Sequence, residues 1–277
     1  MSGLRLVGLL KRVVSGFYFP LTALGKVRNQ TLDEVPVLLY HGFYQGVPQS
    51  AFMKIDLFDK HLAYLSSRYQ LVTLRDLLEN HRSAAGPRAV ITLDDGFQNN
   101  FELAFPVLRK YGATATIFLV TNVLGKLWSD GVSKVLARDQ IQAMHEYGIE
   151  FGSHSANHFN SNKLSRSQFR DEVVRSKAEI DEIIGDEVVS FSFPYGLYHA
   201  SEHFPVLQEA GYKCAVATFL RPYNPRRFSR CEIPRLTVYN YENVFDLMLK
   251  CRGGQNWLRL VHRLHKLTKT GAFIHER

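Results

Sequence analysis

The chain predicts an α/β fold, a (β/α) barrel of about seven strands. Three observations lead there. Short apolar runs alternate along most of the 277 residues with stretches of helical spacing, which implies βαβ units and a parallel sheet. Seven or eight such runs suit a closed barrel better than an open sheet. Four polar signals, "YHG", "LDDG", "GSHSANH" and "SFPYG", directly follow predicted strands, and in barrels of this kind the chemistry gathers at the C-terminal strand ends.

The elements follow in order. "VPVLLY" (residues 35–40) is a buried strand, with Pro36 tolerable at its start. "DLFDKHLAYLSSRY" carries Leu57, Phe58, His61, Leu62 and Leu65 at helical spacing, and "YQLVT" is a short strand. Thr73 caps a helix in "TLRDLLEN". "RAVITL" is a strand, "FELAFPVLRKYG" a helix closing at Gly112, and "ATATIFLV" a strand. The helix "RDQIQAMHEYG" leads to the strand "IEFGSH", and the long periodic helix "SRSQFRDEVVRSKAEIDEIIG" to the strand "EVVSFSFP". "SEHFPVLQEAG" is a helix capped by Ser201, "YKCAVATF" and "EIPRLTV" are the last strands, and "ENVFDLMLKCRGG" and "NWLRLVHRLHKLTK" are terminal helices.

Composition narrows the function. Hydrophobic residues make up 45% and charged residues 22%, as in a globular protein with a full core. The net charge is +8, but no zinc finger, RNA-recognition signature or long Lys/Arg block accompanies it, so nucleic acid is not favoured. Cys214, Cys231 and Cys251 are too few for a disulfide framework, and no uninterrupted apolar stretch is long enough to span a bilayer. Residues 1–33 read as an N-terminal segment apart from the barrel domain, 34–277. Its first part is either a weak signal peptide ending near Gly25 or an amphipathic helix to Tyr18. In the helical reading Arg5, Lys11 and Arg12 oppose Leu4, Leu6, Val7 and Leu10. Such a helix lies on a membrane surface or packs on its own domain.

Each motif has a plain reading beside a chemical one. "LDDG" suits a turn and a helix cap. It also places Asp94 and Asp95 so that one carboxylate can bind a metal while the other takes a proton from water. His154 and His158 stand four apart after a strand, which on a helical turn puts both rings on one face. His199 and His203 share that spacing but lie at a predicted helix start without a carboxylate motif, and read as surface or capping residues. With Asp95, the first pair makes two histidines and one carboxylate, the composition of a catalytic rather than a structural zinc site. Pro194, Tyr195 and Gly196 form a turn at another strand end, and His41 ends the first strand.

"TLDDG", "HSANH" and "FPYG", in this order, resemble the polysaccharide deacetylase family, carbohydrate esterase family 4 with its NodB homology domain. The resemblance covers roughly residues 34–240. The opening "LLYHG" and "F…HLAYL…YQLVTLRDLL" are most similar to its permuted poly-N-acetylglucosamine deacetylase branch. It implies a distorted (β/α) barrel and metal-dependent deacetylation of N-acetylated sugars. It further implies Asp94 as general base, Asp95, His154 and His158 as ligands of one divalent metal, and the Tyr195 backbone N–H as an oxyanion donor. His41 corresponds to the general acid, and Pro194 and Tyr195 to substrate contacts. The family's third motif carries an arginine paired to the base, whereas this chain has Ser192. Arg235, on the last predicted strand, is the candidate replacement.

The expected function is removal of acetyl groups from N-acetylated amino sugars of a cell-envelope or exported polysaccharide or its precursor. The alternatives are an O-deacetylase, an amidase on a non-sugar amide, or an inactive saccharide binder. Zinc is the expected metal, with Co, Ni and Fe also suited to the ligand set. The expected place is the cytoplasm or the membrane periphery, with contact to the membrane surface, and export is the alternative.

Overall fold

A computed structural model describes residues 34–48, 52–79, 86–218 and 222–252. The predicted amphipathic helix to Tyr18 and the predicted terminal helix "NWLRLVHRLHKLTK" lie outside these residues. Short apolar runs become strands buried on both faces, as a parallel sheet covered by helices requires. In chain order they are β1 Val37–Tyr40, β2 Phe43–Tyr44, β3 Met53–Lys54, β4 Gln70–Val72, β5 Arg88–Leu93, β6 Thr116–Leu119, β7 Glu150–Ser153, β8 Ser190–Ser192, β9 Cys214–Thr218 and β10 Ile233–Thr237. The helices are α1 Ile55–Ser66, α2 Leu74–Glu79, α3 Phe105–Lys110, α4 Arg138–Tyr147, α5 Arg166–Ile184, α6 Ala200–Glu209 and α7 Val244–Cys251.

Seven parallel strands close a ring in the order β1-β10-β9-β8-β7-β6-β5, because β1 pairs with both β10 and β5. The ring is distorted at β5. There β4 pairs with the N-terminal half, Arg88 to Val90, and β6 pairs only at Thr92 and Leu93. One set of alternate strand residues, with Leu38, Ile91, Ile117, Phe151 and Leu236, packs outward against helix residues such as Phe58, Leu62 and Phe169. The other set fills the ring.

The ring interior is layered. At the N-terminal floor, Glu150 accepts hydrogen bonds from Thr116 Oγ1 (2.8 Å), Ser190 Oγ (2.8 Å) and the Arg75 N–H (3.0 Å), so the first turn of α2 closes the bottom. Above it lies the Phe118 ring. Gly152 is required beside it, since a Cβ there would meet that ring at 2.6 Å and Ser190 Oγ at 2.5 Å. Period-two alternation then carries β7 from Glu150 through Gly152 to His154 at the open end.

Three local readings change. The helix expected from Phe101 opens as a wide π turn, Asn100–Ala104, in which the Phe105 N–H donates to Asn100 O, before α3 begins with Pro106 in its first turn. Pro106 has no N–H to give, so the regular ladder starts only after it. Helix α6 is capped at His199, two residues before the expected cap Ser201. His203 caps it, with Nδ1 accepting from the His199 N–H at 2.9 Å, but it is not a surface residue. It faces α5 and is buried against Phe169, with ring centroids 4.4 Å apart. The sequence also did not announce the β2–β3 pair or the bridge between Leu127 and Lys134, which shapes a small hairpin.

Candidate active site

Strand β5 ends at Leu93, and the Asp94 N–H still completes the ladder to Tyr40 O at 3.0 Å. The chain then turns left-handed at Asp95 (φ 72°) and Gly96 (φ 63°). This turn gives the adjacent carboxylates different surroundings. Asp94 stays inside the ring and takes a bidentate pair from Arg235, Nη1 to Oδ1 at 2.6 Å and Nη2 to Oδ2 at 2.7 Å. Ser192 Oγ lies 3.2 Å from Asp94 Oδ2 and 3.0 Å from Arg235 Nη2. Burial pushes the Asp94 carboxyl up, but the Arg235 guanidinium outweighs it and holds Asp94 well below the usual carboxylate range. Ser192 therefore stands where the resemblance expects an arginine, and β10 delivers the guanidinium from the other side of the ring.

Asp95 faces the two histidines. Its Oδ1 lies 3.6 Å from His154 Nε2 and 3.5 Å from His158 Nε2. The ligand atoms of the three residues all lie within 4.8 Å of one another. His154 Nδ1 makes a 2.7 Å hydrogen bond to Ser192 O; as the donor there, it leaves the Nε2 lone pair free to face Asp95. Burial, and next the Asp94 charge, push the Asp95 carboxyl up to about 8. Burial lowers both His154 and His158, the latter to about 3. Asp95 Oδ1 is buried without a hydrogen-bond partner. An orphaned carboxylate oxygen that faces two imidazoles fits a divalent cation, and this donor set suits zinc.

The spacing of His154 and His158 does not reflect a helical turn. Ser155 (φ 66°) and His158 (φ 58°) are left-handed, and the segment is a loop. Among the described residues, the non-glycine positions with positive φ are Asp95, Ser155, His158 and Tyr195, and all four belong to this site. Each costs ~1–3 kcal/mol and persists only where its surroundings enforce it, a pattern that marks functional sites.

The remaining predicted residues gather around this centre. Tyr195 (φ 60°) is 57% exposed, and its ring meets the His158 ring edge-on at 4.7 Å. Pro194 is buried in the same turn. His41 follows β1, with its carbonyl held by Asn100 Nδ2 at 2.9 Å. Burial lowers its pKa while the Asp94 charge opposes that shift. Sequence reasoning missed Trp128. It sits in the hairpin before α4, with its ring 5.3 Å from His158 and 5.4 Å from Phe97. The signal available was an aromatic residue inside the turn-rich "LWSDG".

Comparison with known proteins agrees with this architecture. The sequence model of the family described as polysaccharide deacetylase matches residues 81–215. The polysaccharide deacetylase-type protein YxkH of Bacillus subtilis is 30% identical over 200 residues, 69% of this chain and 67% of YxkH. The poly-beta-1,6-N-acetyl-D-glucosamine N-deacetylase of Staphylococcus epidermidis is 26% identical over 192 residues, 65% of each chain. This chain thus spans about two thirds of the length of these relatives. Among solved structures, the Streptococcus pyogenes deacetylase PplD, in complex with acetate, superposes with a TM-score of 0.70 at 22% identity, covering 79% of this chain and 98% of that one. IcaB from Ammonifex degensii gives 0.68 at 22% identity, covering 80% and 97%. With its closed seven-strand parallel barrel and its motifs at the strand ends, the chain belongs to the polysaccharide deacetylase family.

Proposed function

We propose that this protein is a metal-dependent hydrolase that removes acetyl groups from N-acetylated amino sugars of a cell-envelope or exported polysaccharide or its precursor. The observation that carries this reading is the divided pair: Asp94 locked in its ionised form by Arg235, next to Asp95 with an unpartnered oxygen turned toward two imidazoles. The Staphylococcus relatives, named as poly-beta-1,6-N-acetyl-D-glucosamine N-deacetylases, support the substrate class.

Asp95, His154 and His158 would hold one divalent ion, zinc first. When bound, such an ion supplies Lewis acidity that acidifies water and polarises an acetyl carbonyl. The chain's own groups do the rest. Asp94 accepts the proton of the attacking water, and Arg235 and Ser192 keep it aimed and charged. The Tyr195 N–H, in its left-handed turn, donates to the oxyanion as the carbonyl becomes tetrahedral. His41, neutral at rest, receives the proton by way of Asp94 and passes it to the departing nitrogen. The carbon–nitrogen bond breaks, and acetate and a free amine result. Pro194 sets the turn, and the exposed Tyr195 ring offers the sugar an apolar face.

We further propose that the protein works at a membrane surface. At one end Arg5, Lys11, Arg12, Lys26 and Arg28 face a lone Asp33 in number; at the other, Arg259, Arg263, Lys266, Lys269 and Arg277 face Glu276. These two ends account for the whole net charge of +8, so residues 34–252 are neutral. Attraction of the ends to anionic lipid, ~1 kcal/mol per basic residue near the surface, would bring a neutral barrel to an envelope saccharide.

Acetate release from defined N-acetylglucosamine oligosaccharides and from O-acetylated sugars, with and without chelator, tests the reading. Release from the N-acetyl substrates, abolished by chelator and restored by Zn²⁺, is expected. Release confined to O-acetyl sugars, or indifferent to chelator, overturns it.

A further inference from the structure

The loop that carries His154 and His158 is held from behind by one face of α5. Glu172 and Ser176 stand four residues apart on that helix and share a side. Both are buried. Glu172 spends both carboxylate oxygens on one residue. The Asn157 N–H donates to Oε2 at 2.8 Å, and Asn157 Nδ2 donates to Oε1 at 2.5 Å. Asn157 immediately precedes His158. Its own Oδ1 accepts from Asn122 Nδ2. Ser176 Oγ meets Ser153 Oγ at 2.6 Å, and Ser153 Oγ accepts the Ser155 N–H at 3.1 Å. One helix face thus grips both left-handed bends of the loop, at Ser155 and next to His158.

The chemistry of Glu172 is unusual for a packing residue. Among the described residues it forms no ion pair, so its charge is buried at a cost that an apolar side chain would avoid. Its charge-assisted bonds end one residue from His158 and nowhere else. His154 needs less help, since its N–H donates to Leu119 O at 2.8 Å and its Nδ1 pairs with Ser192 O. His158 has no such strand anchor, and its N–H is fixed only within the loop, by Ser155 Oγ at 2.9 Å. We propose that Glu172, supported by Ser176, is a positioning residue that sets the His154–His158 loop in its metal-receiving conformation before an ion binds. The proposal rests on Asp95, His154 and His158 being the metal ligands.

The test is Zn²⁺ affinity of the metal-free protein, measured by competition with a chromogenic chelator, alongside its thermal midpoint. In Glu172→Gln, the new amide N–H faces the Asn157 Nδ2 donor, and one bond must be lost. Zn²⁺ affinity is expected to fall ~10–100-fold, the range seen when partners of metal ligands are removed. Adding Asn157→Asp reverses the polarity of the pair. The introduced carboxylate accepts from the glutamine amide and from Asn122, while the glutamine carbonyl accepts the backbone N–H, so affinity is expected to return towards the parent value. Should Glu172→Gln fail to fold, the double variant decides: parent-like folding and Zn²⁺ binding support the proposal, and failure of either overturns it. His158→Ala separates the two levels. Zn²⁺ lost by His158→Ala yet held at parent affinity by Glu172→Gln overturns the positioning role alone. Zn²⁺ held at parent affinity by both overturns the metal centre and the proposal with it.

Discussion

Replacing Arg235 by methionine isolates the contact on which the general base depends. The Arg235 and Asp94 side chains are only 1% and 5% exposed, and the pair is bidentate at 2.6 and 2.7 Å. Arg235 also reaches Ser192 Oγ at 3.0 Å and Thr92 Oγ1 at 3.3 Å. Methionine fills similar volume but leaves the buried Asp94 charge with the Ser192 hydroxyl in place of the guanidinium. Removing one member of a buried pair costs ~3–5 kcal/mol, mostly as the penalty on the charge left behind. Asp94→Asn strands the guanidinium in the same way. The double variant strands neither, so the two losses should fall short of additive by ~2 kcal/mol or more. Equilibrium denaturation of the four proteins measures this coupling. The pH–rate profile supplies a second readout. Asp94 is depressed below its ordinary 3.8 in the folded protein, so the pair stabilises above that value and the contribution is lost as pH falls through the folded pKa. Without Arg235, the effect of burial is no longer outweighed, Asp94 rises, and the acidic limb of the rate profile moves to higher pH. Metal content should hold, because Arg235 touches none of the three ligands. A loss under ~1 kcal/mol, additive single-variant losses, or an unmoved acidic limb would refute the reasoning.

Three further outcomes are expected. Asp94→Asn should keep its metal and lower kcat by ~10²–10⁴, the usual contribution of a general base, while Asp95→Asn loses metal and activity together; equal metal loss in both would dissolve the division of labour. His61 is fully buried, with Nε2 2.9 Å from Glu242 O, and burial lowers it to about 4. Its neutral form stabilises the fold above its ordinary 6.5, and that contribution, roughly 3 kcal/mol, is lost as pH falls from 6.5 towards 4. The stability gap between the parent and His61→Gln should therefore narrow across that window, and a constant gap argues against it. Finally, the full chain should sediment with anionic vesicles at low salt and less so after Arg5, Lys11 and Arg12 become Gln; binding indifferent to those changes removes the membrane contact of the N-terminal end.

Several features of this protein were legible in single stretches of sequence. Apolar runs of four to six residues bounded by polar turns marked the strands of the ring, and the helical period of "SRSQFRDEVVRSKAEIDEIIG" marked α5. The adjacency of Asp94 and Asp95 and the two histidines after β7 marked the chemistry. These signals are local, because hydrogen-bonding period and turn stereochemistry act over a few residues. Ser192 showed in the sequence that an arginine was missing, and "IPRLTV" offered one. Only closure of the ring, with β10 between β1 and β9, brought Arg235 across 141 residues onto Asp94. The left-handed loop of His158, the burial of His203 and the approach of Trp128 to the site were likewise decided by tertiary structure. Each is set by packing between elements far apart in the chain. A residue's own neighbours carry no record of which distant side chain will satisfy its charge, or of which strained backbone angle the surrounding contacts will hold in place.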